Sequence, residues 1–500
     1  MFLRNTPIKL FLTCWIVYAL HFATDIVREI YPAIAIGDSL SYDLGEYANL
    51  HLDIFEKPGF GWHIGNNPGV SMLAAIPYTM ARPLIDPIAA ADRRIHLSES
   101  GIHQPKYDSP WRLNRDFFAK AWRRGLLLKL GLAAFTMQSL CMAPFSAAAV
   151  VLLYLLLCRV LPSKRTALWL AILYAFGTPV FFRTGYLNHN LMLGHIGFCG
   201  FILLWNPSAF VPWSARTRFA LAGVAAGTTI LFDYSGAVMC FALFTYGLTT
   251  LPDREPLQRL VRHPLAFLLG MLPPLLLLWH YQWHSFGHPF YPGQHWMPPV
   301  QWSDLGYRGF GLPQWELFSQ LGFDRRFGLF PSSPVLCLAL LSPFFALMRR
   351  SFLRWRELLF CLFLVLAWWI FFASSNYTRL QFNTGIRYMS SILPFVFLAT
   401  AVVIVRLSPR MVFVIFVVSI AQSWAMAMYR DVEHELGVIQ PILNTFLGGF
   451  NLPALETLAR VDTYGRFFEF GPSPWPLYAV AAVTIYGIWV NPFGQRQPPK

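Results

Sequence analysis

Charge is what this 500-residue chain has least of: 13% of its residues are Asp, Glu, Lys or Arg, about half the share usual in soluble domains. With 56% of the residues hydrophobic and 17% aromatic, neither a soluble globular domain nor a disordered chain is compatible with the composition. Polar loops lack cysteine, because Cys14, Cys141, Cys158, Cys199, Cys240, Cys337 and Cys361 all lie in or beside apolar runs. That argues against a disulfide framework and against a Cys-built zinc site. No Asp-x-Asp occurs anywhere, so a metal-clamped diphosphate substrate is disfavoured. Internal repeats and low-complexity tracts are missing as well.

What the chain does have is apolar runs of membrane-spanning length. They predict helices near 8–24, 127–157, 166–182, 190–205, 217–232, 235–251, 264–285, 331–348, 356–374, 389–405, 411–428 and 475–490. The expected fold is therefore all-α, a polytopic transmembrane helical bundle of about 12 spans, with 11 to 13 as the range. The first run follows Arg4 and Lys9 and reads as a retained signal-anchor.

The formal net charge of +14 does not form one patch of the kind that binds nucleic acid. It sits in short clusters between the runs: Arg159, Lys164 and Arg165; Arg216 and Arg218; Arg254, Arg259 and Arg262; Arg349, Arg350, Arg354 and Arg356; Arg406 and Arg410. The acids in those connections are Asp253, Glu255 and Glu357. This asymmetry places the clusters and both termini in the cytoplasm. The large connections then face outward, the first at 25–126. Residues 1–428 read as one transmembrane module, and 429–500 as a further outward loop with a last helix. Apolar stretches at 44–52 and 70–84 are too short to span and suit helices lying at the interface.

The first outward loop carries Gly37-Asp38-Ser39-Leu40-Ser41-Tyr42 close to the membrane exit. A carboxylate at that depth is suited to act as a base, with Asp43 and Glu46 as possible second acids; a helix N-cap would give Asp38 the same surroundings in sequence. Further on come Asn66-Asn67-Pro68-Gly69, Gly177-Thr178-Pro179, Asn188-His189-Asn190, Phe286-Gly287-His288-Pro289, Gly328-Leu329-Phe330-Pro331-Ser332-Ser333-Pro334 and Gly385-Ile386-Arg387-Tyr388.

In that order, from about residue 8 to 405, these segments resemble the GT-C superfamily of polytopic membrane glycosyltransferases. The likeness is to bacterial members with mannosyltransferase-like or arabinosyltransferase-like names. The resemblance implies an enzyme of the cell inner (plasma) membrane that takes a monosaccharide from a polyprenyl-phosphate carrier on the extracytoplasmic side. The acceptor would be a glycan, lipid or protein, and no cofactor is implied.

A phosphate leaving group without a metal needs cations. Arg387, inside a motif, and Arg379, Lys57 and Arg183 all fall on the outer side, although snorkelling to lipid headgroups would also account for the last three. Tyr42, Asn67, His189, Asp233 and Tyr388 are candidates to line the cavity. His280, His284 and His288 recur at four-residue spacing, but the Gly and Pro beside them favour an interfacial aromatic belt over a metal site, and no metal is expected. Asp431, Glu433, His434 and Glu435 read as a solvated loop face. The alternative function is a polytopic transporter or flippase of lipid-linked sugars, for which an acid at a helix centre would be the usual mark. The orientation is tested by cysteine labelling: Ser98→Cys is expected to react with an impermeant thiol reagent from outside intact cells, and labelling only after membrane disruption contradicts the topology.

Overall fold

A computed structural model describes residues 6–98, 105–251, 257–299, 306, 308–379, 385–430, 432, 435–465, 468 and 471–490. A helix lies over every one of the twelve apolar runs: α1 Thr6–Leu20, then α4 Leu127–Val160, α5 Lys164–Phe176, α6 His189–Trp205, α7 Ala215–Phe232, α8 Gly236–Thr249, α9 Leu257–Phe286, α10 Pro334–Leu347, α11 Trp355–Ala373, α12 Tyr388–Ile404, α13 Pro409–Met428 and α14 Trp475–Val490. Between α1 and α4 the first loop contributes α2 Ile30–Ser39 and α3 Gly69–Ser98. The protein is an all-α, multi-pass membrane protein. Length and composition single out four helices able to cross a membrane, Leu127–Val160, Val261–Phe286, Trp355–Ala373 and Pro409–Met428, with α1, α6, α8, α10, α12 and α14 as shorter apolar helices.

The helix starts are written locally. Ser163, Asn188, Ser214 and Ser408 each accept a hydrogen bond from the amide three residues on, opening α5, α6, α7 and α13. Along α9, Leu265, Leu268, Leu269, Leu272, Leu276 and Leu277 all face outward and exposed, an arrangement that water would penalise and hydrocarbon does not.

The long run 127–157 is one 34-residue helix with a π turn at Gln138–Met142. The turn frees polar groups that the neighbours use. Trp15 donates its indole N–H to the Ser139 carbonyl at 2.6 Å. Gln138, fully buried, donates to the carbonyls of Tyr18 at 2.9 Å and Thr184 at 3.0 Å. The bulge thereby ties the C-terminal end of α1 to the connection between α5 and α6.

The first loop differs from the expected pair of interfacial helices. The 70–84 stretch is indeed helical, inside the longer α3, but 44–52 holds only a 3-10 turn at Gly45–Tyr47. A β-hairpin that the apolar pattern did not reveal follows, with Ile54–Lys57 antiparallel to Gly61–Ile64. Its turn uses Gly59 and Gly61, both at positive φ, +80° and +95°, where only glycine is unstrained.

The tightest helix crossing pairs α7 with α9 through small residues. A Cβ at Gly223 would stand 1.9 Å from the Phe267 carbonyl oxygen, and one at Gly270 2.0 Å from that of Ala220. The backbones touch there, which is how helices pack where lipid supplies no hydrophobic drive. Gly223→Val is therefore expected to lower the melting temperature in detergent sharply, and an unchanged melting temperature contradicts the crossing.

Candidate active site

Arg28 and Glu29 lie between the end of α1 and the first turn of α2. Glu29 is only 4% exposed, so its charge survives only through partners. Oε1 takes them all: His189 Nδ1 at 2.7 Å, Asn66 Nδ2 at 3.1 Å and Arg28 Nε at 3.2 Å. Burial alone would raise the Glu29 pKa, but the imidazole and the guanidinium outweigh it and hold the carboxyl well below the usual carboxylate range. The group is a fixed anion at neutral pH.

Three other elements are pinned to the same place. Ser71, in the first turn of α3, donates its hydroxyl to the Glu29 carbonyl at 2.7 Å. Asn67 donates to the Ile230 carbonyl at 2.6 Å, at the C-terminal end of α7, and a Cβ on Gly69 would meet Phe232 at 2.6 Å. The Asn66-Asn67-Pro68-Gly69 segment is thus clamped on the α7–α8 tip. At that tip Asp233 accepts from the Ser235 amide at 2.9 Å through Oδ1 and places Oδ2 3.7 Å from His189 Nε2. His189 opens α6 and stands between two carboxylates, one at each ring nitrogen.

A cationic group adjoins this line. Arg28 Nη1 reaches Asp53 Oδ2 at 3.1 Å, just ahead of the hairpin. Burial works against the Asp53 charge, yet Arg28, then His51 and Arg387, keep its carboxyl below its ordinary value. Arg387 lies over the Tyr388 ring at 5.0 Å. Arg183, 1% exposed, and Arg430 both lie 5.0 Å from the Tyr186 ring, and Arg430 pairs with Asp25 at 2.9 Å. Burial, opposed by Tyr186, together with the Arg430 and Arg387 charges pushes the Arg183 pKa down to about 10. It remains protonated at neutral pH. Among the described residues, the guanidiniums of Arg28, Arg183, Arg387 and Arg430 are thus gathered with the carboxylates of Asp25, Glu29 and Asp53, and guanidiniums suit phosphate and other anions.

Of the residues expected from sequence, His189, Asp233, Arg387, Tyr388, Arg183 and Asn67 belong to this region. Asp38 does not join it. It ends α2, and its Oδ2 pairs with Lys129 Nζ at 2.7 Å while Oδ1 meets Arg82 Nε at 3.3 Å and accepts from the Tyr78 hydroxyl at 3.0 Å. Both oxygens are committed to joining α2, α3 and α4. Asp43 closes its own turn by accepting from the Gly45 and Trp62 amides at 3.2 and 2.8 Å. Glu46 pairs with Arg93 at 3.1 Å. Lys57 rests 3.5 Å over the Trp296 ring, and Arg379 bridges to Glu316 at 3.2 Å.

Tyr42 packs edge-on against Tyr281 and lies 3.4 Å from His280 Nδ1. The His280 and His284 rings are 4.1 Å apart while His288 stacks on Tyr291. Among the described residues no group of three His, Cys, Asp or Glu side chains converges as a metal site. Asp431, Glu433 and His434 lie outside the described residues.

The sequence reading missed Glu29, Arg28, Asp53 and Arg430. The available signal was Asp25-x-x-Arg28-Glu29, three charges directly beyond the first helix in a chain poor in charge.

Fold and site together define a polytopic helical membrane protein with a buried, densely charged cluster at one end of its bundle. No family model matches the chain, and no curated protein matches it significantly. Among solved structures it is similar to the crystal structure of ArnT from Cupriavidus metallidurans in the apo state, at 14% identity and a TM-score of 0.46, over 96% of this chain and 75% of that one. A likeness that distant adds nothing to the chemistry, which rests on the geometry above.

Proposed function

We propose that the chain is an integral membrane glycosyltransferase of the GT-C kind. It would transfer a monosaccharide from a polyprenyl-phosphate carrier to an acceptor hydroxyl on the extracytoplasmic side, by one inverting displacement and without a metal. The observation that carries this reading is the Glu29–His189–Asp233 line beside the Arg28, Arg183, Arg387 and Arg430 group. A base and a cationic seat for a leaving phosphate are the two parts that sugar transfer needs.

In this reading His189 replaces Asp38 as the base, because both Asp38 oxygens are engaged by Lys129, Arg82 and Tyr78. Glu29, too weak a base while held so far below its ordinary pKa, accepts from Nδ1–H and fixes the tautomer that leaves Nε2 open on the Asp233 side. The acceptor oxygen forms its bond to the anomeric carbon as the bond from that carbon to the phosphate oxygen breaks on the opposite face. The hydroxyl proton passes to His189 Nε2, the imidazolium is stabilised by Glu29 and Asp233, and polyprenyl phosphate leaves with its charge met by Arg387 and its neighbours. A groove of about 570 Å³ between α8 and α11, lined by Ala237, Val238, Phe241, Phe363, Ile370 and Phe371, would seat part of the apolar tail close to Asp233.

Transfer of radiolabelled sugar from a polyprenyl-phosphate donor tests the assignment. Glu29→Gln and His189→Ala are each expected to lower the rate by about 10² to 10⁴, and Arg387→Ala by about ten- to a hundredfold, with Arg387→Lys recovering part of it. Asp38→Asn is expected to keep transfer near the wild-type rate while lowering the melting temperature, and EDTA to leave activity intact. Loss of transfer in Asp38→Asn with a tolerant Glu29→Gln returns the base to Asp38. EDTA-sensitive transfer with a tolerant Arg387 replaces the cationic seat with a metal.

A further inference from the structure

The end of the bundle opposite the active site carries a second charged feature that sugar transfer does not use. Helix α11 runs from Trp355 to Ala373, so its two ends stand about 28 Å apart. Its far end is joined to α10 by a short loop, and a cleft of about 290 Å³ opens there between Arg349, Ser351, Phe352, Leu353, Arg354 and Trp355. Arg350 belongs to the same loop, and the neighbouring α12–α13 connection is fastened to it by Arg406, which donates to the Arg350 carbonyl at 2.8 Å. Arg410 follows in the first turn of α13.

Among the described residues the charge of these two connections is one-sided. No acid occurs in 342–356 or 401–410. The adjoining Glu357 is fully buried, with Oε1 taken by Arg356 at 2.8 Å and by the Tyr246 hydroxyl at 2.9 Å. It neutralises Arg356 and nothing in the cleft. Arg349 itself ends α10 at a φ of +55°, a position that normally selects glycine. The chain accepts that strain and sets a guanidinium on the cleft wall.

The rim is apolar and faces outward. Phe344 and Leu347 on α10 are 59% and 70% exposed, Leu359 on α11 is 55% exposed, and Trp355 stands half out at the mouth. A tryptophan at that level is the usual residue of a membrane interface. A cationic floor opening onto hydrocarbon-facing helix sides matches a molecule with a phosphate at one end and acyl chains at the other.

We propose that this cleft binds the headgroup of an anionic phospholipid from the leaflet opposite the active site, with Arg349 and Arg354 on the phosphate and the acyl chains along α10 and α11. Charge asymmetry alone would orient the helices without any cleft. What distinguishes a binding site is its specificity for two arginines and for a phosphate that carries acyl chains.

The test uses the full chain purified in neutral detergent and titrated with cardiolipin, phosphatidylcholine or inorganic phosphate, read by melting temperature and by lipid retained in native mass spectrometry. Cardiolipin is expected to raise the melting temperature saturably, and phosphatidylcholine and inorganic phosphate are not. Arg349→Gln/Arg354→Gln is expected to weaken half-saturation about tenfold or more. Lys164→Gln/Arg165→Gln, which removes two charges from another loop at the same end, is expected to bind as the wild type does. The double variant's melting temperature without lipid reports its folding, and Arg354→Gln alone takes its place if it is unfolded. Undiminished cardiolipin binding in the cleft variants overturns the proposal. So does an equal loss in the control variant, or an equal stabilisation by inorganic phosphate.

Discussion

The contact between Glu29 and His189 is the one on which this end of the molecule depends. A carboxylate as deeply buried as Glu29 is tolerated only if its partners are held in place, and each partner comes from a different stretch of chain. Arg28 arrives with the end of α1, Asn66 with the segment that opens α3, and His189 with the start of α6. Fixing one carboxyl oxygen therefore fixes the first loop on the bundle, and the Asn67–Ile230 hydrogen bond extends the clamp to the α7–α8 tip and Asp233. The same ion pair that closes the fold sets the chemistry, because an anion at Nδ1 decides what the other imidazole nitrogen can do.

Charge is scarce enough in this chain that its placement is informative. At one end of the bundle, guanidiniums alternate with carboxylates inside a protein shell, where each group's field is felt by its neighbours. At the other end the arginines of the α10–α11 and α12–α13 connections stand exposed around a shallow cleft, with Glu357 turned inward on Arg356. The long α4, through its π turn, ties the C-terminal end of α1 to the connection after α5. The two charged features thus occupy opposite ends of the bundle.

The apolar helices were legible in the sequence because hydrocarbon imposes a run of apolar side chains that nothing else in a chain requires. His189 and Arg387 were singled out in the sequence because each stands inside a distinctive short segment, and Asp233 because it marks the tip between two short apolar runs. Glu29 was not, since a carboxylate next to an arginine just beyond a membrane helix looks like an ordinary interfacial charge until Asn66 and His189, 37 and 160 positions away, are brought against it. Asp38 illustrates the converse. Its nearness to the membrane exit was real, but Arg82 and Lys129, far along the chain, take up both of its oxygens. The hairpin escaped notice because its strands are four residues each, too short for an alternating pattern to stand out from the surrounding apolar residues.

The central claim is that the cationic group beside Glu29 and His189 is the seat of a phosphate. An electron cryomicroscopy structure of the purified protein with bound polyprenyl phosphate tests it most directly. The account predicts phosphate density within hydrogen-bonding distance of Arg387 and at least one of Arg28, Arg183 and Arg430, with an open space between it and His189 Nε2 large enough for a sugar ring. Phosphate density at Lys129 and Arg82, displacing Asp38, would contradict it.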